Sequence, residues 1–246
     1  MDDWILPDWP APAHVRSVIT TRCGGFSASP YQGLNLGDHV GDAPVEVTRN
    51  RAWLSRRLAL PSEPHWLQQV HGCDVLDCDP DSNRGPTTAD AATSSRPGRV
   101  CAVLTADCLP LLICDRAGSR VAAVHAGWRG LAAGVIERAL SRFDADEGEL
   151  LIWLGPAIGP TAFEVGDEVR ETFVAMNPAD EAAFLPSSPG HWRADIYQLA
   201  RNRLLPWRPG FVGGGGDCTY SEATRFFSYR RDGTTGRMAA LIWIQP

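Results

Sequence analysis

His71, Cys108 and His125 are residues of metal-ligand type, and each stands at the end of an apolar, strand-like run. The runs are residues 67–70, residues 100–104 with the extension Thr105-Ala106-Asp107, and residues 121–124. Strands that end together bring side chains far apart in sequence to one point. One thiolate and two imidazoles form a three-donor zinc set with the fourth position open, the pattern of catalytic rather than closed structural sites. Copper is the alternative metal for such a lone site.

Taken singly, each residue has an ordinary explanation, and the conjunction is what points to a metal. His71 lies in Gln68-Gln69-Val70-His71-Gly72, where the glycine lets the chain turn close to whatever the imidazole holds. Cys108 follows Asp107, an odd residue for a buried strand, and precedes Pro110, which removes a ladder donor. His125 opens His125-Ala126-Gly127-Trp128-Arg129-Gly130, after a strand and before a helix. Small residues there permit close approach, and a helix start with an arginine fork favours anions. Arg129 is the first phosphate candidate and Arg22, in a Gly-rich turn, the second. Arg230 follows a strand-like run and suits a phosphate or carboxylate, whereas Asn35 and Asp42 flank turns as caps or ligands. Asp107, the nearest acid in sequence to the metal-ligand set, is the candidate for proton transfer, although adjacent strand residues usually face opposite ways. Cys218 or Asp107 would be the fourth ligand of a closed, structural site.

The elements that must position these residues are legible in outline. Residues 15–21 read as a strand. Pro44–Leu58 reads as a helix capped by Asp42 and stopped by Pro61. Residues 77–99 are polar and rich in Pro, Gly and Ser, as in an exposed loop. Three β runs follow at 100–104, 109–114 and 120–124, the last two joined by a hairpin at 115–119. A four-residue apolar spacing at Leu131, Val135, Ala139 and Phe143 predicts a helix over 131–143. Leu150–Leu154 reads as a strand and 166–176 as a helix. Asp195 caps a helix that Pro206 stops. Residues 226–229 and Met238–Ile244 read as closing strands. The mixture lacks regular βαβ alternation, a GxGxxG or a P-loop. It predicts an α/β (α+β) single domain over 1–246, with layered mixed sheets flanked by helices and no Rossmann wind.

Composition narrows the partners. The chain has 246 residues and a formal charge of −6, and no cluster of cations marks a nucleic-acid footprint. Its cationic side chains are all arginine, the residue whose planar fork suits phosphate and carboxylate. An acidic start broken by Pro7, Pro10 and Pro12 lacks signal-peptide character, and no apolar stretch nears the roughly 20 residues of a membrane span. The expectation is a cytoplasmic protein, a monomer or small homo-oligomer, with no nucleic-acid or membrane partner. Seven cysteines without a CxxC pair read as reduced thiols.

These segments resemble one family closely. The matching stretches are Thr21-Arg22 through Gly25, Asn35-Leu36-Gly37, Gln69-Val70-His71-Gly72, Asp90-Ala91, Thr105-Ala106-Asp107-Cys108-Leu109-Pro110, His125 through Gly130, Gly155-Pro156 through Gly166, and Phe227-Ser228-Tyr229-Arg230-Arg231. The chain is similar to the YfiH-type family, once called multicopper polyphenol oxidases or laccase-domain proteins, which includes the bacterial peptidoglycan editing factor. Residues 91–93 read Ala-Ala-Thr where many members carry a more regular pattern. The resemblance implies a zinc site at His71, Cys108 and His125 and a layered fold likened to cysteine hydrolases. It implies phosphorolysis of adenosine, inosine and S-methyl-5′-thioadenosine to base and ribose 1-phosphate, together with adenosine deamination.

Two other readings remain open on the residues. A metal-free amidase would use Cys108 as nucleophile with His125 or His71 as base, in keeping with the editing branch, which is implicated in removing L-serine from a UDP-MurNAc cell-wall precursor. A ligand-sensing or structural metal site would need no catalysis. The laccase label conflicts with the residues: six histidines and no HxH pair do not build a trinuclear copper cluster, so a copper-dependent polyphenol oxidase is the weakest fit.

Overall fold

A computed structural model describes residues 3–79 and 87–246. In chain order the elements are β1 (Val15–Ile19), α1 (Pro44–Leu58), β2 (Val75–Asp77), β3 (Ala91–Ser94), β4 (Val100–Thr105), β5 (Leu109–Asp115) and β6 (Val121–Ala126). There follow α2 (Trp128–Ala132), α3 (Val135–Leu140), β7 (Leu150–Leu154), β8 (Glu164–Gly166) and α4 (Asp167–Met176). The remainder are β9 (Phe184–Pro186), β10 (His191–Ala194), α5 (Ile196–Leu204), β11 (Phe211–Gly214), α6 (Tyr229–Asp232) and β12 (Met238–Ile244).

The strands form a six-stranded mixed sheet in the order β11-β7-β5-β6-β3-β2 and two three-stranded sheets, β1-β12-β4 and β8-β10-β9. Strands β5 and β6 are buried over their full length. Both faces are covered, which is why their sequences are continuously apolar instead of alternating. One face, with Leu112, Cys114, Val121 and Ala123, packs on Cys101, Val103, Ala240 and Ile242 of the β1-β12-β4 sheet. The opposite face, with Leu111, Ile113, Ala122 and Val124, meets Val135, Ile136, Leu199 and Ala200 of α3 and α5. The outer face of the smaller sheet, through Val18, Ala102 and Leu241, covers Leu54 of α1. The result is helix, sheet, sheet, helix, as the mixed-layer expectation holds. His125 continues the series Val121, Ala123 along β6, so strand alternation aims it between the two sheets.

Several expectations need correction. Residues 67–70 are not a strand; they form one bridge, Gln68 to Thr88, and the Gln69 side chain takes the place of a strand partner by bonding both Leu104 backbone groups. The loop expected over 77–99 contains β3, whose four residues are all buried; within that span, residues 80–86 lie outside the described residues. The helix expected over 131–143 is two helices, because Gly134 takes a left-handed φ of 86° between them. Residues 226–229 form no strand: Phe226 and Phe227 are fully buried, and the Ser228 hydroxyl caps α6 by accepting from the Arg231 N–H. Asp42 is not the helix cap, which is Ala43; its carboxylate instead accepts from Ser27 and Asn35. Asp195 does cap α5, accepting from the Gln198 N–H.

Asn35 joins the front of the chain to its last strand. It is fully buried. Its Nδ2 donates to the Gly37 carbonyl and to Asp42, and its Oδ1 accepts from the N–H groups of Gly37 and Arg237. Every valence is spent on the protein, so the substrate-binding role expected of Asn35 is replaced by a structural one. Asn35→Ala leaves those buried partners without substitutes, and the expected cost is about 3 kcal/mol. Urea denaturation checks it, and a loss below about 1 kcal/mol would refute the assignment.

Candidate metal centre and substrate cavity

The three donor atoms of His71, Cys108 and His125 lie within 4.8 Å of one another, and among the described residues no other group of His, Cys, Asp and Glu meets that condition. Cys108 Sγ is 3.7 Å from His71 Nε2. A tetrahedral ion with bonds of about 2.3 Å to sulfur and about 2.0 Å to nitrogen spans about 3.6 Å between those two atoms, so this edge fits zinc without rearrangement. The His71 and His125 rings meet edge-on with centroids 5.0 Å apart. Neither proposed fourth ligand joins them: Cys218 Sγ accepts from the Gly159 N–H, and Asp107 is engaged elsewhere.

One carboxylate arranges two of the three donors. Asp90, fully buried just before β3, accepts from the N–H groups of Val70 and Gly72 through Oδ2 and from that of His71 through Oδ1. The same Oδ1 lies 2.8 Å from His125 Nδ1. The bond sets the tautomer, with hydrogen on Nδ1 and Nε2 left for the metal. His71 adopts a φ of 59° on the turn so formed, a strained conformation that the three backbone bonds maintain. The third donor rides on a second strained residue, Asp107, with φ 92°. Its Oδ1 accepts from the Thr219 hydroxyl and its Oδ2 from the Arg230 N–H. Gly127 backs the group: a Cβ there would lie 2.8 Å from His71 Cδ2 and 2.9 Å from Cys108 Sγ.

Electrostatics favour a charged pair. Burial alone would raise the Cys108 thiol, but the charge of His125 and hydrogen bonds to both histidines outweigh it and hold the thiol at about 6. Burial opposes the charge on His125, and the Cys108 thiolate with the Asp90 carboxylate raises it to about 9. Burial likewise works against charge on Asp90, yet the His125 contact and the Gly72 and Val70 N–H groups keep it below the usual carboxylate range. With the Nε2 proton of His125 lost, the thiolate, the two neutral imidazoles and the Asp90 carboxylate behind them would suit a divalent cation.

The donors line a cavity of about 560 Å³ together with Gln69, Asp107, Trp128, Arg129, Phe163, Tyr229, Arg230 and Arg237, among others. Arg129 and Arg230 therefore face this cavity. Arg22 does not: it sits in a separate depression with Gly24 and Gln32, its guanidinium over Phe227 and donating to the Ala223 carbonyl. The Gly-rich turn that suggested phosphate serves to pack two loops. Asn35 is absent from the cavity lining. Asp107 lines the cavity, but both oxygens are committed, so it holds the 219–230 segment against the site. Sequence reasoning missed Asp90, Arg237 and His39. Asp90 had a signal, its place in the Asp90-Ala91 stretch shared with the family, though no role was read from it; Arg237, isolated in a polar turn, had none.

The model of the family described as multi-copper polyphenol oxidoreductase laccase matches residues 16–245. The chain belongs to that family. Purine nucleoside phosphorylase PA4543 of Pseudomonas aeruginosa is 54% identical over 246 residues, covering 100% of both chains. Purine nucleoside phosphorylase YfiH of Escherichia coli is 53% identical, covering 99% of this chain and 100% of that one. Among solved structures, protein NMB0706 of Neisseria meningitidis superposes with a TM-score of 0.94 at 47% identity, over 99% of this chain and 100% of that one. YlmD of Geobacillus stearothermophilus gives 0.88 at 31% identity over 100% of both. The family's description speaks of several coppers; the described residues of this member bring together one set of three donors.

Asp90→Asn keeps the shape but weakens the bond that orients His125. Its metal affinity, measured by competition with a chromogenic chelator, should fall by about 10–100-fold. In metal-free protein, Cys108 should alkylate with iodoacetamide along a curve with its midpoint at about pH 6, slowing as the thiolate is protonated below it. Added zinc should suppress that labelling, while the buried Cys78, Cys101 and Cys114 stay unlabelled; peptide mapping by mass spectrometry reads all four.

Proposed function

We propose that this protein is a cytoplasmic, zinc-dependent purine nucleoside phosphorylase, with residues 1–246 forming one catalytic unit. The observation that carries the reading is an open set of three donors on the wall of a cavity large enough for a nucleoside and lined by aromatic rings and arginines. Relatives covering the full chain at 44–54% identity bear the name purine nucleoside phosphorylase, which supports it. Among the described residues no helix is long and apolar enough to cross a membrane.

The donor set fits zinc, with His71 Nε2, Cys108 Sγ and His125 Nε2 as ligands. When bound, zinc supplies Lewis acidity for polarising and orienting substrate. The reaction asks the protein to hold a nucleoside and a phosphate in line. A phosphate oxygen bonds to the anomeric carbon as the bond from that carbon to the purine nitrogen breaks. The electron pair leaves with the base, which takes up the proton that phosphate loses. Charge develops at the sugar as in glycoside cleavage, so a bound anion beside it stabilises the transition state. Arg129, its guanidinium 4.3 Å from the Trp128 ring, and Arg230, which donates to the Glu164 carbonyl, offer charge at the cavity wall. Trp128, Phe163 and Tyr229 offer flat surfaces for the base. Deamination of adenosine at C6 is the second reaction we assign to the same cavity.

A second reading has one observation in its favour: the Cys108–His125 pair, as it stands in metal-free protein, is the nucleophile and base of a thiol amidase. Product analysis separates the two. Inosine with phosphate should give hypoxanthine and ribose 1-phosphate, with no base released when phosphate is omitted. Chelation should abolish turnover, and so should His125→Ala. Release of serine from a seryl UDP-MurNAc peptide by chelator-treated protein, without inosine cleavage, would instead establish the amidase.

A further inference from the structure

Of the arginines lining the cavity, Arg237 is held most firmly and has donors to spare. Its stem lies against Gly37, where a Cβ would come within 2.7 Å of Arg237 Cγ. Its backbone N–H is fixed by Asn35 Oδ1 at 2.9 Å. Its Nη1 donates to the carbonyls of Thr235 and Gly236, each at 3.0 Å. That leaves Nε and Nη2 without a partner among the described residues. These two form the side of a guanidinium whose parallel N–H groups match two oxygens of one oxyanion. The head is half-buried and lines the same cavity as the metal-ligand set, and among the described residues no carboxylate lies within ion-pair distance of it. Burial disfavours its charge; the charges that oppose this effect include those of Cys108 and Asp107, which places it in the field of the reacting centre.

The other two cations of the cavity compare poorly. Arg129 and Arg230 are exposed, so water screens them. Both also border a side depression with Glu164 and Glu168, and Arg237 does not. Arg230 is already tied to Glu164 through the carbonyl bond, and its charge acts on the Glu164 carboxylate. An anion entering this cavity therefore meets a pre-oriented fork at Arg237 with no carboxylate partner, and exposed, partly offset charges at Arg129 and Arg230.

We infer that Arg237, with His39 beside it on the cavity wall, is the seat of the inorganic phosphate, and that Arg129 and Arg230 serve approach and release. The inference rests on the phosphorolytic reading for its chemistry, but the seat itself is a binding site and is testable without turnover.

The test uses the full-length zinc protein, its Arg237→Gln and Arg237→Lys variants, and Arg129→Gln for comparison. Calorimetric titration with inorganic phosphate alone reads the seat. Arg237→Gln should bind at least about tenfold more weakly, the loss expected of a charge-assisted pair, with zinc content and melting temperature retained. Arg129→Gln, which removes only an exposed and screened charge, should weaken phosphate binding by less than about twofold. In steady state, Arg237→Gln should raise KM for phosphate by a similar factor and leave KM for inosine within about twofold. Arg237→Lys, which keeps the charge but not the fork, should fall between; it carries the test if the glutamine variant does not fold. Phosphate binding unchanged in the Arg237 variants, or lost equally in Arg129→Gln, would overturn the seat. A parent protein that binds phosphate through Arg237 and does not cleave inosine would leave the seat standing and remove the phosphorolytic reading.

Discussion

The Asp90 carboxylate is the constraint on which the centre depends. It accepts three successive backbone N–H groups of the 70–72 turn and holds His125 Nδ1 at 2.8 Å. Charge-assisted bonds to a buried carboxylate are each worth about 1.5–3 kcal/mol, enough together to keep His71 at a positive φ that its side chain disfavours. The two histidines come from a surface turn and from an interior strand, with no direct backbone connection between them. They share an orientation because they share this acceptor. Cys108 is placed independently, by Asp107 reaching over to Thr219 and Arg230. Two acids outside the donor set thus fix the geometry of the three residues within it.

The clustering of His71, Cys108 and His125 was legible in sequence because each stands at the end of an apolar run, where a polar residue needs a reason. The layered architecture was legible for the same cause: continuous apolar stretches at 109–114 and 121–124 require cover on both faces. What escaped was non-local. The 67–70 run looks like a strand, but its partner is a glutamine side chain reaching Leu104, and no periodicity records that. The four-residue spacing from Leu131 to Phe143 persists through Gly134 because both short helices rest on the same core, so a period alone does not reveal the break. Arg22 and Asn35 carried the chemistry of ligands, and only their neighbours reveal that they are spent on Phe227, Gly37 and Arg237.

Membership in a family described by copper oxidation sits beside a site of different character. Blue-copper centres also use two histidines and a cysteine, so the donor types alone do not exclude a single copper. The surroundings favour substrate chemistry over electron transfer: the thiol opens onto a cavity with room for an organic substrate, not onto a closed apolar shell. Aromatic faces and arginine forks on the same wall suit a ligand that is flat at one end and anionic at the other.

Strand β12 lies between β1 and β4, so the smaller sheet pairs residues near 15 with residues near 244. This closure is the most distant in the chain and among the slowest kinds of contact to form. His71, Cys108 and His125 all precede β12 in the chain, yet the strand that carries His125 is covered on one face by the sheet that β12 closes. A chain whose C-terminal segment has not docked therefore lacks both the clamp of Thr219 and Arg230 on Asp107, beside Cys108, and the wall carrying Arg237, so the cluster and its cavity take their final form together.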